Sequence, residues 1–261
     1  MSLSSKVKDR ISNINERIGI YYCNLKTEEN FFVGNCEIFP SLGIAKLVMM
    51  IEVFDRVEKG DMNFNDEYIL NNNPELFMNE NEYEQTVGIL DFLHRGIRLT
   101  IEDLVKMMMI ISDNTAFNVL FSLIGSKTIN ETLKNLGLVN TKIEYMLSES
   151  EKTNPEKDNQ HSVKEVGWLL KMMYKGQLVS QEASKKMMTI LSYHQRRNLL
   201  IYYANRGISV MQQTGFDEDS MHVAAIVNDT EPFILCISIK DMDAKKAENI
   251  IKDIAVICGD R

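Results

Sequence analysis

Apolar positions recur along this chain with two spacings, and the switches between them outline the elements. Ser4 or Ser5 can cap a first helix that runs to about Asn15. Residues 17–24 and 30–37 are two short runs rich in β-branched and aromatic side chains. The polar stretch 25–29 separates them, which predicts a β-hairpin. From 44 to 58 the apolar residues fall at helical spacing and stop at Gly60. Residues 61–85 are polar, rich in Asn and interrupted by Pro74, so they are expected to be mostly loop. Thr100 with Asp103 three residues on forms a capping box for a helix to about Ile111. Two more helices follow, one from after Asp113 to Ile124 and one over 127–136, each closed by a glycine, Gly125 and Gly137. Residues 147–160 are polar and contain Pro155, a second long loop. Helical spacing returns over 163–175 and 181–191.

The last third changes period. Residues 209–213, 222–228 and 233–240 read as strands, the last two joined by Asp229-Thr230-Glu231-Pro232, which is turn chemistry, and residues 244–257 read as a closing helix. The order is therefore a helix, two strands, a block of helices, three strands and a helix. That is an α+β chain, not an alternating βαβ one. It implies a five-stranded antiparallel sheet flanked by helices plus an all-helical lobe. The chain of 261 residues reads as one domain over 1–261, with an α/β part from 1–42 and 207–261 and a helical part from 43–206.

Composition narrows the function classes. The net charge is −8 and there is no basic run, which argues against nucleic acid and against an anionic membrane surface. No apolar stretch approaches the roughly 20 residues of a membrane span. The polar, mixed-charge segment 1–17 is no signal peptide. The compartment stays open on that basis: cytoplasmic if this N-terminus is native, secreted or periplasmic if a leader was trimmed. Cys23, Cys36, Cys236 and Cys258 lie in apolar surroundings without a C-x-x-C pair and read as buried free thiols. His94, His161, His194 and His222 lack metal-ligand spacing, so no metal and no cofactor are expected.

The sharpest local signal is Ser112-Asp113-Asn114 between two apolar helical segments. Alone, that tripeptide is a common helix cap. Its context is Leu99-Thr100-Ile101-Glu102-Asp103-Leu104, then Met107-Met108-Met109-Ile110-Ile111 leading into Ser112, and a following helix that closes at Leu123-Ile124-Gly125. That stretch resembles the second motif region of the serine β-lactamases and penicillin-recognising proteins, class A in particular. Phe39-Pro40-Ser41-Leu42-Gly43-Ile44-Ala45-Lys46-Leu47 resembles their nucleophile segment, S-x-x-K. Gln213-Thr214-Gly215 resembles their K-T-G strand. The resemblance runs in order over nearly the whole length.

The resemblance implies an acyl-enzyme mechanism: a serine attacks the lactam carbonyl beside a lysine one helical turn on, and Ser112 relays a proton to the leaving nitrogen. It also implies that Asn114 and the K-T-G residues bind substrate and that a loop glutamate activates the deacylating water. The implied ligand is a β-lactam or a peptidoglycan-like small molecule. Three positions depart from the pattern. Gly43 stands where the nucleophile belongs, and Ser41 is spaced wrongly from Lys46 to replace it. Gln213 stands for the K-T-G lysine. Leu147 stands for the loop glutamate, with Glu149 and Glu151 nearby. Lys46, Ser112, Asp113, Asn114, Thr214 and Gly215 are retained, and a purely structural role for them remains open. Three readings follow. The chain is a catalytically impaired family member that keeps a ligand site; or it is a hydrolase, through a Ser112/Lys46 dyad or as an engineered Ser-to-Gly form of a working enzyme; or it is a partner-binding module. Losses at three positions fit natural decay or repurposing better than one engineered change.

Overall fold

A computed structural model describes residues 1–77, 88–147 and 158–260. In chain order the elements are α1 (Leu3–Ile11), β1 (Arg17–Asn24), β2 (Asn30–Gly34), β3 (Ile38–Pro40), α2 (Ala45–Lys59), β4 (Glu67–Ile69) and β5 (Arg98–Thr100). Then come α3 (Ile101–Ile110), α4 (Asn114–Ile124), α5 (Ser126–Asn135), β6 (Gln160–Ser162), α6 (Val163–Tyr174) and α7 (Gln181–Ser192). The chain ends with α8 (Ile201–Ala204), β7 (Ser209–Phe216), β8 (Ser220–Asn228), β9 (Phe233–Lys240) and α9 (Ala244–Gly259).

The two ends of the chain build one antiparallel sheet in the order β2-β1-β9-β8-β7. β9 lies at its centre and is buried on both faces, which is why Phe233-Ile234-Leu235-Cys236-Ile237 is a continuous apolar run. One face packs Ile20, Val223, Ala225 and Leu235 against α1 and α9. The other packs Ile226, Ile234 and Cys236 against the helical block, with α6 lying across β1 and β9. Each fully buried aliphatic chain contributes about 1.5–3 kcal/mol, so these two layers hold the strand ends that carry the site.

Several boundaries differ from expectation for local reasons. Ser2, not Ser4 or Ser5, caps α1, its Oγ accepting the Ser5 amide at 3.2 Å, and the helix stops at Ile11 short of Asn15. The predicted loop 61–85 contains β4, which pairs with β5 from Glu67↔Thr100 to Ile69↔Arg98. β7 runs on to Phe216, past its predicted end at Gln213, because every residue through Phe216 has a partner on β8. The Thr100–Asp103 capping box forms as expected. All four cysteines are free, but Cys36 is half-buried rather than buried.

Candidate active site

The site is assembled where the turn before α2, the turn before α4 and the strand β7 meet. Lys46 sits in the first turn of α2 and is 2 % exposed. Its ammonium nitrogen lies 2.5 Å from the Ser112 carbonyl oxygen, 2.9 Å from Ser112 Oγ and 2.6 Å from Asn114 Oδ1. Burial drives the lysine down to about 7, against the pull of Asp113 and with a push from Arg196. The geometry suits both protonation states. As an ammonium, Lys46 donates to all three oxygens. As an amine, it donates to the two that can only accept and takes the Ser112 hydroxyl proton on its lone pair.

Local sequence explains the convergence. Ser112 adopts φ +62°, which turns the chain sharply between α3 and α4 so that its carbonyl and hydroxyl face the same cation. Asp113 then caps α4, its Oδ1 accepting the Ala116 amide at 2.9 Å. Its other oxygen accepts the amides of Ile89 and Leu90 at 2.6 and 2.9 Å, tying the segment after residue 87 to this turn. Leu42 also takes a left-handed φ, +44°, immediately before Gly43. Two such non-glycine residues on either side of one buried lysine are local strain of order 1–3 kcal/mol each, held by the surrounding packing.

Gly43 lies in the short turn Leu42–Ile44, pressed against β7. A β-carbon built on it would stand 3.1 Å from both Gly215 Cα and the Thr214 carbonyl carbon, and nearer still to the Thr214 carbonyl oxygen. Carbon atoms prefer about 3.5–4.0 Å. No side chain of any kind fits at position 43 unless β7 retreats. Gly215 is equally close from its own side, since a β-carbon there would meet the Gly43 nitrogen at 2.9 Å. Gln213 is fully buried, and its amide nitrogen donates to the Gly43 carbonyl at 3.1 Å. Among the described residues it has no hydrogen bond to Lys46 or Ser112, and it joins β7 to the Gly43 turn through that carbonyl.

Two residues at the site, His194 and Arg196, carry no family signature in the sequence. His194 Nδ1 donates to the Met109 carbonyl at 2.7 Å, and its Nε2 lies 3.0 Å from Thr214 Oγ1. Burial holds this imidazole down to about 4, with Lys46, Arg196 and Arg197 adding to the depression. The Arg196 guanidinium stacks on the Phe216 ring at 3.5 Å from its centroid, and burial lowers its value too. Only nonlocal structure reveals these residues. His194 and Arg196 sit in an unremarkable stretch after α7, and the register of β7 brings Thr214 and Phe216 to them.

Other expected positions fall as follows. Leu147 is half-buried with its amide donating to Asn118 Oδ1 at 2.8 Å. Glu149 and Glu151 lie outside the described residues. Ser41 is buried, and its hydroxyl has no hydrogen-bond partner among the described residues. Below it, buried His161 and His222 approach with ring centroids 5.1 Å apart, and His161 Nε2 meets Ser238 Oγ at 2.8 Å. No group of three or more potential metal ligands occurs among the described residues. No described helix is long and apolar enough to cross a membrane.

The likeness to known proteins is now specific. The profile of the Beta-lactamase enzyme family matches residues 2–261. Among solved structures, the β-lactamase from Sphaerobacter thermophilus is 22 % identical, covers 98 % of this chain and 95 % of its own, and superposes with a TM-score of 0.86. PBP-A is 20 % identical, with 98 % and 94 % coverage and the same TM-score. The TLA-1 extended-spectrum β-lactamase is 18 % identical, with 99 % and 97 % coverage and a TM-score of 0.85. No curated protein matches the sequence. With the family profile spanning the chain and the fold shared throughout, this chain belongs to the β-lactamase enzyme family.

Proposed function

We propose that this chain is a class A-like family member that forms no acyl-enzyme at residue 43 and keeps the Lys46, Ser112, Asn114 and Thr214 constellation to bind a small carboxylate ligand, a β-lactam or a peptidoglycan-like fragment. The observation that carries this reading is the wedge of β7 against Gly43. The nucleophile is absent, and the space its side chain would need is taken by backbone. Lys46 and Arg196 act as cations on His194, the hydrogen-bond partner of Thr214, which favours an anion there even with Gln213 in place of a lysine. A variant of the related PBP-A has been solved as its acyl-enzyme with penicillin G. The test is incubation with a chromogenic β-lactam and with benzylpenicillin, following turnover, intact mass and non-covalent binding by calorimetry. Binding without turnover or adduct is expected. Turnover, a covalent adduct anywhere on the chain, or no binding up to millimolar ligand refutes the reading.

One observation favours a second reading. Ser112 Oγ lies 2.9 Å from a lysine held near neutrality, which is the contact a serine–lysine nucleophile requires. An adduct that maps to Ser112 and disappears in Ser112→Ala selects this reading over the first.

A further inference from the structure

His194 has its tautomer dictated by its neighbours. The Met109 carbonyl can only accept, so Nδ1 carries the hydrogen of the neutral ring. Nε2 is then a lone pair, and the Thr214 hydroxyl at 3.0 Å must donate to it. Thr214 has one hydrogen and has committed it to His194. What it offers a ligand is oxygen lone pairs, which repel a carboxylate. If Nε2 gains a proton, both ring nitrogens donate. Thr214 Oγ1 then accepts from Nε2–H, and its own hydrogen is free to rotate toward an anion.

We propose that His194 is a proton-linked positioning residue: binding of a carboxylate beside Thr214 draws one proton from solvent onto His194 Nε2, and that proton converts Thr214 from an acceptor into a donor for the ligand. This rests on the ligand-binding reading above and adds to it a regulation of the same site. The charged groups facing the ring among the described residues are Lys46 from α2 and Arg196 and Arg197 from its own loop, all cations. α3 presents the Met109 carbonyl and β7 the Thr214 hydroxyl. Those cations, together with burial, keep the ring neutral when the site is empty, with its value near 4. A bound carboxylate offsets them and accepts the released hydroxyl hydrogen, so the proton is stabilised only in the complex.

Lys46 supplies an internal control. Its value lies near 7, so below pH 6 it is charged with or without ligand and takes up no proton on binding. Uptake measured there belongs to His194 or to another histidine, and His194→Gln separates these. Benzylpenicillin binding is measured by calorimetry at pH 5.8 in two buffers of different ionisation enthalpy, then repeated at pH 6.8. Uptake of half a proton or more per ligand is expected at pH 5.8, with the Kd weakening several-fold, up to about tenfold, by pH 6.8. His194→Gln should bind with no uptake at pH 5.8, and any dependence it keeps up to pH 6.8 belongs to Lys46. Binding without uptake, or uptake unchanged in His194→Gln, overturns the proposal and leaves the ligand site standing. No binding at any pH overturns both. The imidazole nitrogen shifts of the free wild-type protein test the premise without a ligand or a variant. A hydrogen on Nδ1 and a lone pair on Nε2 support it, and the opposite tautomer refutes it.

Discussion

Replacing Gly43 by alanine asks whether β7 really closes the nucleophile position, and the sign of the answer decides. Gly43 does not occupy the left-handed region, so its backbone suits any residue. At such a position Gly→Ala ordinarily stabilises by about 0.4–1 kcal/mol, because the unfolded chain loses freedom. The wedge reverses this. The new methyl would meet Thr214 and Gly215 backbone atoms at 3.1 Å and less, and backbone cannot swing aside as a long side chain can. Overpacking of this kind costs about 1–3 kcal/mol. The net expectation is a loss of about 1–2 kcal/mol, or a fall in Tm of roughly 2–8 °C for a chain of this size. Urea unfolding at pH 7.5, with the m-value checked for constancy, reads the free energy. Gly60→Ala is the control, because a β-carbon there meets nothing within 4 Å and only its φ of 81° is strained. It should lose about 1–2 kcal/mol through backbone alone. If Gly43→Ala is as stable as wild type or more so, position 43 is open and the steric argument fails. Gly43→Ser should then acylate, whereas the wedge predicts a destabilised protein and no adduct.

Asp113→Ala removes the cap of α4 and leaves the Ile89 and Leu90 amides without their acceptor, so a loss of about 2–3 kcal/mol is expected by urea unfolding. Acid should destabilise the fold through its buried histidines. His222 falls from 6.5 to about 4 on burial, and burial together with His222 holds His161 well below 6.5. The unfolded chain therefore binds more protons than the folded one between about 4 and 6.5. This contribution is full above pH 6.5 and is lost as pH falls through that window, on the order of 3 kcal/mol for His222 alone. His222→Gln should flatten the stability profile between pH 6.5 and 5, and an unchanged slope would refute the assignment. Gln213→Lys should not restore the family's cation usefully. The new ammonium replaces a fully buried amide bonded to Gly43, so a loss of about 2 kcal/mol or more is expected, with no gain in β-lactam turnover.

What was legible in the sequence is what short-range chemistry dictates. The Thr100–Asp103 box, the Asp113 cap and the glycine stop after α2 are set by residues three or four apart, and each lies where its pattern puts it. The sheet's order was not read from the sequence, although the uniformly apolar run of β9 fits its central place and the mixed pattern of β2 its edge. β4 and β5 escaped notice because each has three residues, too few for a period to show. His194 and Arg196 escaped notice for a different reason. Their roles come from partners on β7 and α3, and nothing in their own neighbourhood marks them.

The departures at Gly43 and Gln213 read in the sequence as two separate losses, and the geometry makes them parts of one arrangement. A lysine at 213 could not sit fully buried against the Gly43 carbonyl without solvent or an anion to stabilise it, whereas a neutral amide can, and it ties β7 to the turn by donating there at 3.1 Å. Once the strand is drawn in, only glycine is tolerated at 43, and only glycine at 215 lets the two backbones approach from the other side. Glycine at 43 in turn permits the approach that buries Gln213. Gly43 and Gln213 are therefore coupled through the position of β7, so changing either one alone meets a strand placed for the other. Larger side chains at 43 and 213 together would require β7 to move outward. The Gly43→Ser/Gln213→Lys double variant should therefore be more stable than the sum of the two single losses implies. Additivity within about 0.5 kcal/mol would show instead that the two positions drifted independently.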